Sequence, residues 1–244
     1  MKEPPASMKM SLFSALAELA RVCPYFSFQM VRMSLGDTPL SAKPALLREY
    51  LSEAMKKKVV HDAGREWYSS LETPAVLDPE ATAPLREALA KRFPFLPHYV
   101  WSTRQVNPWM HHLLGKFILF VNIESGGEGD VAAFLRNEGW SVIVNPTAKT
   151  AKDFAPGERS VVIRGIRRPF DPATEPRVET VLVDLMLENS RLRLMDETER
   201  QEMSRKLVTT HRVEIASLLA RLRKHRVDLE GFIGAETKPI IGEK

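Results

Sequence analysis

Apolar residues recur at three- and four-residue spacing over Leu12, Ala15, Leu16, Leu19 and Val22, which predicts an amphipathic helix over residues 8–22. Tyr25 and Phe26 follow Pro24 and read as a short strand. Ser27 is placed to cap a second helix running to Leu35, with Gly36 as its stop. Thr38-Pro39 marks a turn. Ser41 is expected to cap a third helix, Pro44 suits its first turn, and Leu46, Leu47, Tyr50, Leu51 and Ala54 share one side of it. Residues 58–70 read as two short strands around a turn at Asp62-Ala63-Gly64. Helix, strand, helix, turn, helix and hairpin is the order of a winged helix-turn-helix, expected here over residues 6–72.

The periodicity stops in ETPAVLDPEATAP (72–84), where three prolines and three acids fall within 13 residues. Proline removes a backbone donor and restricts its neighbour, so residues 73–84 are expected to be an extended linker. Beyond it the pattern gives a helix over 85–93, a strand over 99–106 and a helical turn at 109–114. KFILFVNIE (116–124) carries the strongest strand signal, followed by a helix over 130–139 stopped by Gly139. A buried strand at 140–145 and a second at 160–166 come next, then helices over 175–190, 197–208 and 210–226. The expected fold is therefore α/β (α+β): an N-terminal winged helix-turn-helix, then a small mixed-sheet domain covered by helices over 85–233. Residues 234–244 read as a loose tail.

Composition narrows the class. The 244 residues are 44% hydrophobic and 27% charged, as in a folded chain. No apolar run approaches the roughly 18 residues of a membrane helix, and the N-terminus lacks an apolar leader, so no membrane contact and a cytoplasmic location are expected. The single cysteine, Cys23, excludes an internal disulfide framework and any multi-cysteine zinc site. The formal charge of +4 is compatible with nucleic acid without demanding it.

Cations cluster in two places. In a winged helix the third helix enters the major groove, so Ser41, Lys43 and Arg48 are candidate base-edge or groove contacts. Lys56, Lys57, Lys58 and Arg65, at the end of that helix and in the hairpin, suit phosphates. The three lysines would equally complement the negative end of the helix dipole. Residues 1–72 hold ten basic and eight acidic side chains, a net of +2, so one copy should bind weakly without dimerisation or a second basic surface. Residues 205–226 read either as such a surface, for nucleic acid or an acidic partner, or as an ordinary helix with a basic outer face. They carry seven Lys/Arg (Arg205, Lys206, Arg212, Arg221, Arg223, Lys224, Arg226) against Glu214, with Ile215, Leu218, Leu219 and Leu222 as a buried stripe.

Catalytic signals are sparse. His111 and His112 are adjacent and, on a helix, point about 100° apart, and His98 lies upstream without a metal-ligand spacing. Cys23 reads as a packed thiol. SGGEGD (125–130) lacks the lysine of a phosphate-binding loop. A metal-dependent nuclease would gather acids and a lysine on adjacent strands; Glu124, Asp130 and Lys149 are the nearest candidates. Asp184 and Glu179 are expected to serve structure within helix 175–190. No catalytic residue, metal or cofactor is expected.

The segments running from YFSF through SAKPALLREYLSEAMKKKVVHDAGREWYSS, then YVWSTRQVNPWMHHLLGKFILFVNIE, GWSVIVNP and VETVLVDLMLEN, resemble AbiEi-like proteins. These are the antitoxin and transcriptional-regulator components of type IV toxin–antitoxin systems. The resemblance spans about residues 10–226. It implies a first domain that binds DNA and represses its own operon, and a non-catalytic second domain distantly similar to nuclease folds. The implied partner is a nucleotidyltransferase-like toxin. A metal-dependent nuclease and a winged-helix protein-interaction module are the alternatives.

Overall fold

The structure, a computed structural model, describes residues 6–150, 157–167, 175–234 and 239–242. The chain divides into two compact units, Met1–Ala75 with Arg205–Lys244, and Val76–Ser204.

The first unit begins with α1 (Ala6–Val22), β1 (Tyr25–Ser27) and α2 (Phe28–Ser34). Ser27 caps α2 as expected, its hydroxyl accepting from Met30 N at 3.3 Å. Then come α3 (Pro44–Lys56), β2 (His61–Asp62) and β3 (Trp67–Ser69). The sheet order β1-β3-β2, with both pairings antiparallel, completes the winged-helix topology. Leu12 and Leu16 of α1, Val31 of α2, and Leu47, Leu51 and Ala54 of α3 close over Phe26 and Tyr68 of the sheet. The third helix starts later than expected. A residue before proline is pushed out of the helical region, so Lys43 (φ −121°, ψ 79°) is the cap residue and Pro44 the first helical one. Ser41 instead donates its hydroxyl back to Thr38 O at 2.8 Å and to Gly36 O, closing the turn between α2 and α3.

The second unit holds α4 (Ala83–Arg92), β4 (His98–Ser102), β5 (Ile118–Glu124), α5 (Glu128–Asn137), β6 (Ser141–Val144), β7 (Ser160–Ile166) and α6 (Val178–Leu192). Its sheet runs β4-β5-β7-β6, antiparallel at the first pairing and parallel at the other two. Val100, Val121, Ile123, Val161 and Ile163 pack with Leu85 and Leu89 of α4 and Val131 and Leu135 of α5. β4 ends at Ser102 rather than 106, because Ser102 and Gln105 form a reciprocal cap that turns the chain into a short 3-10 helix, Thr103–Gln105. β6 is not the buried strand expected of it. It is an edge strand, exposed to half-buried along its length.

The helix α7 (Glu197–Thr210) contains the division between the units, and α8 (Ile215–Lys224) and α9 (Leu229–Ile233) belong to the first unit. The expected domain over 85–233 is thus cut at Ser204. Three anchors explain it. Arg212 N donates to Thr73 O and Ala75 N to Arg212 O; the Tyr25 hydroxyl donates to His211 O and accepts from Val213 N; and Ala216 N donates to Ala63 O. The tail is also fixed where described. Ile240 is buried, Tyr25 N donates to Ile240 O at 3.2 Å, and Ile241 bridges Tyr25 in parallel beside the edge strand β1. The expected linker is extended only over its first half, since Pro79–Ala81 form a 3-10 helix capped by Asp78 and α4 follows.

Candidate nucleic-acid interface

Thirteen residues make α3 about 20 Å long. Its buried side is Leu47, Tyr50, Leu51 and Ala54, and Ala45, Arg48, Glu49 and Lys56 face solvent. Lys43 is exposed at the start, and no side chain caps the first turn. A cation there sits against the positive end of the helix dipole, a placement that an anion would offset. Lys56, Lys57 and Lys58 are exposed at the other end, where the dipole favours them. Arg65 is exposed in the wing turn at φ +21°. Among the described residues, Lys43, Lys56, Lys57, Lys58 and Arg65 make no ion pair.

Arg48 is the exception. Its Nε donates to Glu66 Oε1 at 3.0 Å, and its guanidinium lies 4.4 Å over the Phe28 ring. Both side chains are about half exposed (51% and 56%), so the pair contributes at most about 1 kcal/mol. Glu66 is the residue that reading along the chain missed; the hairpin alone brings it, 18 positions on, to Arg48.

The wing turn does not project freely. Ala63 and Gly64 are buried, because the segment leading into α8 packs on them. Gly64 takes φ +86°, and a Cβ there would meet Glu214 Cγ at 2.6 Å. Arg212, expected on the second basic surface, is instead a clamp. Its Nη1 donates to Leu71 O at 3.0 Å and Glu72 O at 2.9 Å. Arg223, Lys224 and Arg226 are exposed, and Arg221 is half-buried. Burial, reinforced by Arg212 and Lys58 and partly opposed by Glu72, holds His61 below the ordinary histidine range.

In the second unit, the candidates for metal chemistry are scattered. Glu124, Asp130 and Lys149 are each exposed, and among the described residues no three His, Cys, Asp or Glu side chains converge on a metal position. The helical turn expected over 109–114 falls instead at Asn107–Trp109, a short 3-10 helix, so His111 and His112 lie past it; both backbone amides, and the His112 ring, bond Glu199. His98 Nδ1 lies 2.8 Å from Leu96 O. Cys23 is buried, which pushes its thiol up. Tyr99 donates to Asp184 at 2.7 Å, which gives Asp184 a structural bond. One turn further along α6, Glu188 is buried between Arg164 and Arg191. These polar groups pin α6 to the sheet. The asparagine and arginine that interrupt the apolar runs of β5 and β7, Asn122 and Arg164, sit side by side in register and were the signal for this row.

Among the described residues no helix is long and apolar enough to cross a membrane. Residues 46–238 match a family described only as a family of unknown function (DUF6577). No curated protein and no solved structure matches the chain.

Proposed function

Since the chain belongs to the DUF6577 family, whose function is unknown, we propose from its winged helix and charge that it binds double-stranded DNA as a non-catalytic transcriptional regulator. The observation that carries this reading is α3, a helix with one face exposed and unpaired cations at both ends, Lys43 and Lys56 to Lys58. A helix about 20 Å long laid in a major groove about 12 Å wide brings such ends to the phosphates of both walls. The resemblance to AbiEi-like proteins supports the finer reading: a cytoplasmic antitoxin that represses its own operon and neutralises a nucleotidyltransferase-like toxin, without a cofactor or metal of its own.

The test is a gel shift with duplex from upstream of the protein's own reading frame. Wild type is expected to bind with an affinity that falls steeply with salt. Lys43→Ala with Lys57→Ala should flatten the slope of log K against log salt by about 2. A slope unchanged in a folded double variant would remove α3 from the interface. Absence of any wild-type binding would favour a protein-interaction role for the same helix, which the exposed Glu49 makes the nearest competitor.

A further inference from the structure

We propose that the last turn of α8 is a second DNA contact, holding the phosphate backbone beside the segment engaged by α3. This rests on the reading of the winged helix as a DNA binder and adds a separate surface to it.

The entry to α8 is fastened to the wing turn by the Ala216 N to Ala63 O bond and by the packing of Glu214 and Ala216 against Gly64. Ile215, Leu218 and Leu222 are fully buried, so the helix is held along its length within the same unit as α3. Ten residues span about 15 Å, so its last turn lies within about 15 Å of the wing turn.

Charge gives the partner its chemistry. Arg221, Arg223, Lys224 and Arg226 place four cations within six positions, and residues 215–227 contain no acid. The negative end of the α8 dipole accounts for one or two cations in a last turn. It does not account for four that are not ion-paired among the described residues; Asp228, the next acid along the chain, lines a cavity with Arg223 and Arg226 but turns its carboxylate to Gly231 N as the cap of α9. Arg223, Lys224 and Arg226 are exposed and make no ion pair among the described residues. Residues 1–72 supply a net of only +2, too little for firm phosphate binding by one copy, whereas residues 215–226 add +4. An acidic protein could meet the same cations. Duplex DNA is favoured because α8 is fastened to the wing, the element that flanks the recognition helix.

The experiment uses the full chain and a duplex of about two helical turns, with binding followed by fluorescence anisotropy across a salt series. Arg223→Ala with Lys224→Ala should lower the slope of log K against log salt by about 2. In unmodified protein, bound duplex should protect Lys224 from acetylation, a readout that needs no variant to fold. Wild type that binds with its slope unaltered by the double substitution, or with Lys224 equally labelled with and without duplex, overturns the α8 contact and leaves the α3 reading standing. Failure of wild type to bind any duplex overturns both.

Discussion

At the scale of single residues, the interface is set by which cations have been given partners. Arg48 has one in Glu66, and the pair sits over Phe28 in half-exposed surroundings. Glu66→Gln should leave stability within about 1 kcal/mol, because the pair is solvent-screened. It should also release Arg48 and steepen the salt dependence of DNA binding by about one phosphate equivalent, read from the same titration series. An unchanged slope would mean that Arg48 does not reach phosphate. His61 makes a different prediction. Its Nε2 is enclosed without a hydrogen-bond partner, and burial together with Arg212 and Lys58 disfavours its charged form. The unfolded chain binds this proton near the ordinary histidine value of 6.5, whereas the folded chain binds it only at lower pH. The stability that follows is therefore complete above about pH 6.5 and is lost as pH falls toward the folded value. Thermal melts should show the midpoint falling between about pH 7.5 and pH 5.5, and His61→Gln should flatten that fall. An equal fall in the variant would move the effect to another group.

At the scale of elements, the wing turn and α8 stabilise one another, and glycine positions report it. Gly64→Ala imposes both a positive φ and a Cβ 2.6 Å from Glu214, for a cost of about 2 kcal/mol in urea denaturation. Gly36→Ala, at φ +56° with open space around it, should cost about 1 kcal/mol from backbone strain alone. Equal costs at the two positions would mean that α8 is not seated on the turn. The elements themselves were legible wherever a local cause sufficed. The apolar stripes of α1 and α3, the Ser27 cap and the order of the wing all follow from spacing and turn chemistry. Readings failed where a neighbour competed. Pro44 displaced Ser41 from its capping role, and the Ser102–Gln105 cap cut β4 short. β6 looked buried because its residues are apolar, yet neighbour order, set by the crossover through α5, placed it at the edge. Periodicity reports that a face is covered; it carries no information about the covering partner.

At the scale of the molecule, that limit decides the division of the chain. The stripe of Ile215, Leu218 and Leu222 was visible in the sequence, but its assignment to the second domain followed only from proximity along the chain. The structure returns it to the winged helix. The consequence is that residues 1–75 are an incomplete unit. Strand alternation turns Tyr25 away from the core that contains Phe26, and Tyr25 is nonetheless fully buried. Its hydroxyl is shared between His211 O and Val213 N, and its strand edge meets Ile240 and Ile241. A fragment ending at Ala75 would expose that face and leave β1 with an open edge. It should melt without a cooperative transition. Joining it to residues 205–244 should restore one; Ala75 N lies 2.8 Å from Arg212 O, and Arg205 stands seven residues or about 10 Å before it, so a Gly/Ser linker of about six residues spans the gap. The joined unit carries both α3 and α8, so its salt slope on duplex DNA should equal that of the intact chain, whereas the short fragment should show a shallower slope or none. Circular dichroism melts and anisotropy titrations on the three proteins check this. A residues 1–75 fragment that melts cooperatively at the temperature of the joined unit would show that the C-terminal helices are not needed to complete the winged helix.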